Sequence, residues 1–216
     1  MKTLHLLPNI LHEESLWRCD LPPLQALIAE SEKGGRQFLK KFTGQIAIPI
    51  YLLNEHTHDI KSLLELKEEE IGLVSDAGLP CLADPGAELV FLARKKGIEI
   101  KAYPGPSSIT LSLMLSGLPS QKFTFHGYLE RDPIALQKQL VSFSSHMTHI
   151  FIETPYRNQK MLEMILKVRR PHDLLCVCCD LMGPNQQVIS KPINEWSSVS
   201  EFQKRPAIFL IYPKTK

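Results

Sequence analysis

Short apolar runs recur along this chain, and most are separated from the next by a stretch with helical spacing. Strand-like runs fall at residues 3–7, 46–53, 71–75, 98–103, 123–127, 149–153, 174–179, 187–190 and 207–212. Helical spacing is expected over 24–29, 36–42, 59–66, 86–96, 107–116, 133–143, 156–168 and 195–203. Strands that alternate with helices need crossover connections, so the pattern predicts an α/β fold with a largely parallel sheet. At Ser116-Gly117-Leu118-Pro119-Ser120 a helix should end in Gly and Pro before a new strand begins. The expected organisation is therefore two α/β lobes, 1–117 and 118–216, with a cleft between them. The last two strands, 187–190 and 207–212, carry only a short connection, which predicts a mixed sheet in the second lobe.

A chain of 216 residues with 44% hydrophobic and 22% charged residues has the composition of a soluble globular protein. Its net charge of +2 carries no bulk polyelectrolyte signal, so any basic surface must be local. The chain contains no run near the roughly 20 apolar residues of a membrane span, and Met1-Lys2-Thr3-Leu4 leads straight into a strand. A cytoplasmic protein without membrane contact is expected. Cys176, Cys178 and Cys179 crowd one apolar run at C-x-C-C spacing, which suits buried thiols better than a zinc site. His56-Thr57-His58 sits in a polar connection. No metal is expected.

The chemistry concentrates where strands give way to helices. After the apolar strand at 71–75 comes DAGLPCLADPG, with two acids, two glycines and two prolines. Ligands of open α/β sheets bind beyond such strand ends. Gly78 permits backbone angles that other residues avoid and lets a ligand approach the main chain. Asp84 is expected as a helix N-cap. A second loop, Pro104-Gly105-Pro106-Ser107-Ser108, follows the strand at 98–103 and precedes another helix. Neither the P-loop nor the dinucleotide glycine pattern is present, so the ligand should be smaller and held mainly by backbone.

These motifs resemble the tetrapyrrole methylase superfamily: Ser75-Asp76-Ala77-Gly78-Leu79-Pro80, Ala83-Asp84-Pro85-Gly86, Pro104-Gly105-Pro106-Ser107-Ser108, Phe125-His126-Gly127-Tyr128-Leu129 and Glu153-Thr154-Pro155-Tyr156-Arg157. Within it they are most similar to the ribosomal RNA small-subunit methyltransferase I group, over about residues 71–212. The resemblance implies a dimeric methyltransferase that binds S-adenosylmethionine in the cleft between its lobes. It implies main-chain contact at Asp76, Ala77, Gly78 and Leu79, packing by Leu82, and neighbours at Pro8, Ser107 and Ser108. Ile152 and Leu181 would contribute from the second lobe. RNA is the implied acceptor, through ribose 2′-O-methylation. A tetrapyrrole or other small-molecule acceptor, and a non-catalytic cofactor-binding protein, stay open as alternatives.

A ribose hydroxyl must lose its proton, and Glu30 is the first candidate general base, with Glu153 the second. Each has a structural alternative: a surface carboxylate for Glu30, a hydrogen-bonding role at a strand end for Glu153. Basic residues cluster at Lys33, Arg36, Lys40 and Lys41 and again at Arg157, Lys160, Lys167, Arg169 and Arg170. Either set would neutralise phosphates or form a solvated helix face. The chain departs from the group's pattern at 29–33, 130–133 and 179–183, where Glu130 and Asp132 are expected to repel phosphate.

Overall fold

The computed structural model describes residues 2–44, 46–196, 202 and 204–214. Two compact units emerge, Met1–Ser107 and Ser108–Lys216. The division falls ten residues before the expected boundary at Gly117. The helix between those points packs on strands of the second unit and goes with it.

The first unit is a five-stranded parallel sheet. Its strands are β1 (Thr3–Leu6), β2 (Ala26–Ala29), β3 (Ile50–Leu52), β4 (Glu70–Val74) and β5 (Glu99–Ala102), in the order β3-β2-β4-β1-β5. Helices α1 (Glu32–Phe42) and α2 (Ala87–Lys95) serve as crossovers. Parallel sheets need both faces covered. Leu4, Ile28, Leu73 and Leu89 pack in one core cluster, and Leu7, Leu27, Phe38 and Val74 in another.

Three expectations change here. In place of the helix expected at 24–29, residues 26–29 form β2, buried at every position. A strand buried on both faces shows no alternation, and periodicity cannot tell it from a helix. The expected strand at 46–53 shortens to β3, and the helix at 59–66 shrinks to one 3-10 turn, Lys61–Leu64.

The second unit holds α3 (Ser108–Ser116), β6 (Phe123–Tyr128), α4 (Pro133–Val141), β7 (Thr148–Glu153), α5 (Asn158–Val168), β8 (Leu174–Cys179), β9 (Gln187–Pro192) and β10 (Ala207–Tyr212). Its sheet runs β6-β7-β10-β8-β9, with β6 and β7 parallel and the other pairs antiparallel. It is mixed because β8 returns as β9 through a short turn, which forbids a crossover. Leu140, Phe151, Ile165, Val177 and Phe209 form its core. Cys176, Cys178 and Cys179 are buried thiols of β8, and burial raises the Cys179 thiol to about 12. The helix expected at 195–203 lies mostly outside the described residues, and a 3-10 turn occupies Ile193–Glu195.

Candidate functional site

In the first sheet, β2 leads outward to β3 at one edge, while β4 leads across β1 to β5 at the other. β2 and β4 are neighbours, so their connections part at the carboxyl ends, and that parting opens a crevice suited to a ligand. Glu30 follows β2 and Asp76 follows β4. Sequence spacing brought neither to the other; strand order does.

Hydrogen bonds and one close backbone approach fasten three strand-end loops together. The Gly78 carbonyl accepts from Asn9 N at 2.7 Å. The Asn9 side-chain amide donates to the carbonyls of Ser75 and Asp76, each at 3.0 Å. Asn9 is buried, so these bonds form away from competing water and fix the turn. The loop after β5 joins through Gly105: a Cβ there would lie 2.0 Å from Pro8 Cβ, so only glycine permits the approach. Pro8 is thereby buried behind the loop. Gly78 has φ +75°, and Cys81 and Ala83 also adopt left-handed backbone at φ 69° and 67°. Such conformations persist only when the surroundings enforce them, and they concentrate at binding sites.

Asp76 is held as tightly. Ser31 caps α1 by accepting from Gly34 N at 2.9 Å, and its hydroxyl donates to Asp76 Oδ1 at 2.8 Å. Asp76 N donates to Glu30 Oε2 at 3.2 Å. A Cβ on Gly34 would sit 1.9 Å from Asp76 Oδ1. The missing side chain admits the carboxylate to the amino end of α1, where the helix dipole favours it. Asp84 completes an acidic group. Burial pushes its carboxyl up to about 6, Glu30 and Asp76 add to the rise, and a hydrogen bond with Ser75 opposes it. Asp84 is not the expected N-cap: Gly86 holds that place without a side-chain bond.

The remaining predicted residues are distributed as follows. Ala77 and Leu82 are exposed, Leu79 is half-buried and Ser107 is buried. Ser108 opens α3 in the second unit. Ile152 and Glu153 end β7, and Leu181 follows β8 at the same end of that sheet, since both Glu153 and Cys179 lie opposite Ala207 of β10. Glu153 is enclosed. One oxygen accepts from Thr154 N at 2.6 Å; the other lies 3.3 Å from Arg157 Nη2 as an ion pair without hydrogen-bond geometry. His126 turns to packing: it bonds His149 at 2.9 Å and stacks on Phe143, and burial lowers both imidazoles.

A cavity of about 520 Å³ adjoins Asp76 and Ala77, walled by the 9–13 segment and α1. Lys40, Lys41 and Arg18 reach it, and sequence reasoning missed Asn9 and Arg18. Both lie in an irregular connection, where residue type alone carries no signal. Lys41 Nζ bonds the Glu13 carbonyl at 2.6 Å, and burial followed by Arg18 lowers its pKa. Arg36 is spent on the Ile46 carbonyl at 3.0 Å and a Glu32 pair. Among the described residues no group of three or more His, Cys, Asp or Glu could hold a metal, and no helix is long and apolar enough to cross a membrane.

The profile of the family described as Tetrapyrrole (Corrin/Porphyrin) Methylases matches residues 18–196. The chain belongs to this family. The ribosomal RNA small subunit methyltransferase I of Xylella fastidiosa is 38% identical over 61% of this chain and 49% of its own length. That of Thermotoga maritima is 29% identical over 86% of this chain and 83% of its own. The chain thus spans about half the length of one such relative and most of another. In fold it is similar to the uroporphyrin-III-C-methyltransferase of Thermus thermophilus, with TM-score 0.62 and 16% identity over 98% of this chain and 94% of that one.

The groups at the strand ends fit the cofactor expected of a methylase. Main chain at 77–79, exposed at Ala77, suits the amino-acid part of such a cofactor. The exposed Leu82 suits an apolar ring, and three carboxylates suit cationic groups.

Proposed function

We propose that this chain is an S-adenosylmethionine-dependent methyltransferase whose acceptor is the RNA of the small ribosomal subunit, methylated on a ribose 2′-hydroxyl. The observation that carries the reading is the set of three pinned loops at the carboxyl ends of the parallel sheet, in a chain of the methylase family with relatives named as methyltransferases of small-subunit ribosomal RNA. The cofactor supplies an electrophilic methyl group.

The chain's own residues then bind, orient and move a proton. Main chain at Ala77, Gly78 and Leu79 holds the amino-acid part of the cofactor, with Asp76 beside it. Leu82, Ser107 and Ser108 are proposed to flank it, Pro8 to back the loop from behind, and Ile152 and Leu181 to make further contacts. Orientation of acceptor and donor contributes up to about 7–11 kcal/mol of barrier lowering in favourable cases. Glu30 is the better candidate base, because it is partly exposed at the crevice while Glu153 is enclosed by Thr154 and Arg157. Asp84, poised near neutrality beside Glu30, is suited to accept the proton onward. The protein is further proposed to be cytoplasmic, where ribosomal subunits assemble, and to act as a homodimer.

Labelled S-adenosylmethionine, incubated with small ribosomal subunits from a strain lacking this protein, tests the reading. Label should enter the RNA at one ribose, and subunits from the parent strain should accept none. Incorporation into neither RNA would overturn the assignment.

A further inference from the structure

A net charge of +2 hides a strongly uneven distribution. On the second unit, a groove of about 320 Å³ lies along α4 and α5, and a second cavity of about 370 Å³ adjoins it at the start of α5. The two share Lys160 and Glu163. Together they are lined by five cations, Arg131, Arg157, Lys160, Lys167 and Lys204, against one carboxylate, Glu163, which accepts from Gln159 at 2.8 Å. Helical spacing explains the arrangement. Positions 157, 160, 164 and 167 recur at three and four residues, so they share one face of α5.

Of the neighbouring acids, Glu153 takes up one of these charges by pairing with Arg157 at 3.3 Å, and among the described residues Arg131, Lys160, Lys167 and Lys204 have no ion pair. Asp132 was expected to repel phosphate, yet its carboxylate caps α4 by accepting from Ile134 N at 3.1 Å and Ala135 N at 2.9 Å. Arg131, one residue earlier, lines the groove. Arg169 leaves the basic set, because it pairs with buried Asp173 at 2.6 Å and donates to the Leu140 carbonyl. Among the described residues no hydrogen bond or ion pair engages Lys160 or Lys167, and both are exposed. Between the cations the groove is apolar, with Met161 and Met164 in its wall. Tyr156 stands 81% exposed at the adjoining cavity, which makes it free to stack.

We propose that this groove along α4 and α5 holds a single-stranded segment of the RNA acceptor, with phosphates on Arg131, Lys160 and Lys167 and a base stacked on Tyr156. The inference rests on the RNA reading above and adds a surface to it. Charge complementarity selects a polyanion, and apolar surface with an exposed aromatic ring distinguishes a single strand from a duplex, whose bases are already stacked.

The test compares the full chain with the double variant Lys160→Gln/Lys167→Gln and with a control, Arg94→Gln/Lys95→Gln, which removes the same charge from exposed positions on α2. Binding of a fluorescein-labelled, mixed-sequence RNA 20-mer is followed by anisotropy from 50 to 200 mM salt. The groove variant should bind about tenfold or more weakly. Its slope of log K against log salt should fall by about 1.4, because each lost single-strand phosphate contact removes about 0.7. Tyr156→Ala should weaken binding about fivefold or more while leaving the slope unchanged, as stacking carries no counterion release. Equal losses in the α2 control, or an unchanged slope in the groove variant, overturn the proposal. So does loss of binding to a labelled polyglutamate 20-mer with RNA binding intact, which would assign the groove to an acidic protein. If the parent chain neither binds the RNA nor methylates subunits, the RNA reading itself fails. If the parent does both and the groove variant matches it, the groove alone fails.

Discussion

Asp84 shows how a loop residue acquires chemistry from its surroundings. Burial and the charges of Glu30 and Asp76 hold its carboxyl near 6 against an ordinary 3.8. An acid with a raised folded-state pKa favours the fold while protonated, below pH 3.8, and loses that contribution as pH rises through about 6. Asp84→Asn should therefore stabilise the protein at pH 7.5 by roughly 1–2 kcal/mol, once screening at this half-buried site is allowed for. Urea unfolding at pH 7.5 and pH 3.5 checks this: the gain should vanish at the lower pH. Gly34→Ala probes the neighbouring contact. Alanine favours a helix over glycine by about 1 kcal/mol, which offsets the clash of its Cβ with the movable Asp76 carboxylate. Stability should stay within about 1 kcal/mol, while calorimetry should show cofactor binding weakened about tenfold or more, because Asp76 must rotate away. Gly78→Val offers no such separation, since a β-branched residue at φ +75° strains the loop itself. In sequence, DAGLP and PGPSS mark these loops because Gly and Pro signal special backbone. The partnership of Glu30 with Asp76 is silent there, being a product of strand order across 46 residues.

At the scale of elements, the apolar runs located nine of the ten strands among the described residues, and the exception is instructive. Ala26–Ala29 has buried neighbours on both faces, so it lacks the alternation that betrays a half-buried strand. The second sheet is mixed as expected, but for another reason: the last two strands, β9 and β10, do not pair with each other, and it is the short turn from β8 to β9 that makes an antiparallel pair. Packing of β4 depends on a glycine that no motif flags. A Cβ on Gly72 would lie 2.8 Å from Leu7 Cδ1 and 3.0 Å from Leu27 Cδ1. Gly72→Ala should therefore overpack the core and cost about 1–3 kcal/mol, read as a lower urea midpoint. An unchanged midpoint would mean that Leu7 and Leu27 relax without penalty.

Over the whole molecule, the open matter is how much apolar surface the chain leaves uncovered. Helix α3 turns Ile109, Ser112, Leu113 and Ser116 inward, and it packs on β8, β9 and β10. Its other side carries Met114 at 78% exposure and Leu115 at 44%. A helix apolar on both sides is costly to leave in water, and adjacent exposed apolar residues mark an interaction surface. The homodimer proposed above would cover this face with a second copy of the chain. Light scattering should then give a mass near twice 24.5 kDa at micromolar concentration. Met114→Lys with Leu115→Lys should shift the protein to monomer, since two like charges would face their own copies across a symmetric interface. Both side chains are exposed in the single chain, so its folding should survive the change, as far-ultraviolet circular dichroism can check. A mass of 24.5 kDa for the parent across a hundredfold range of concentration would remove the dimer and leave α3 needing another partner.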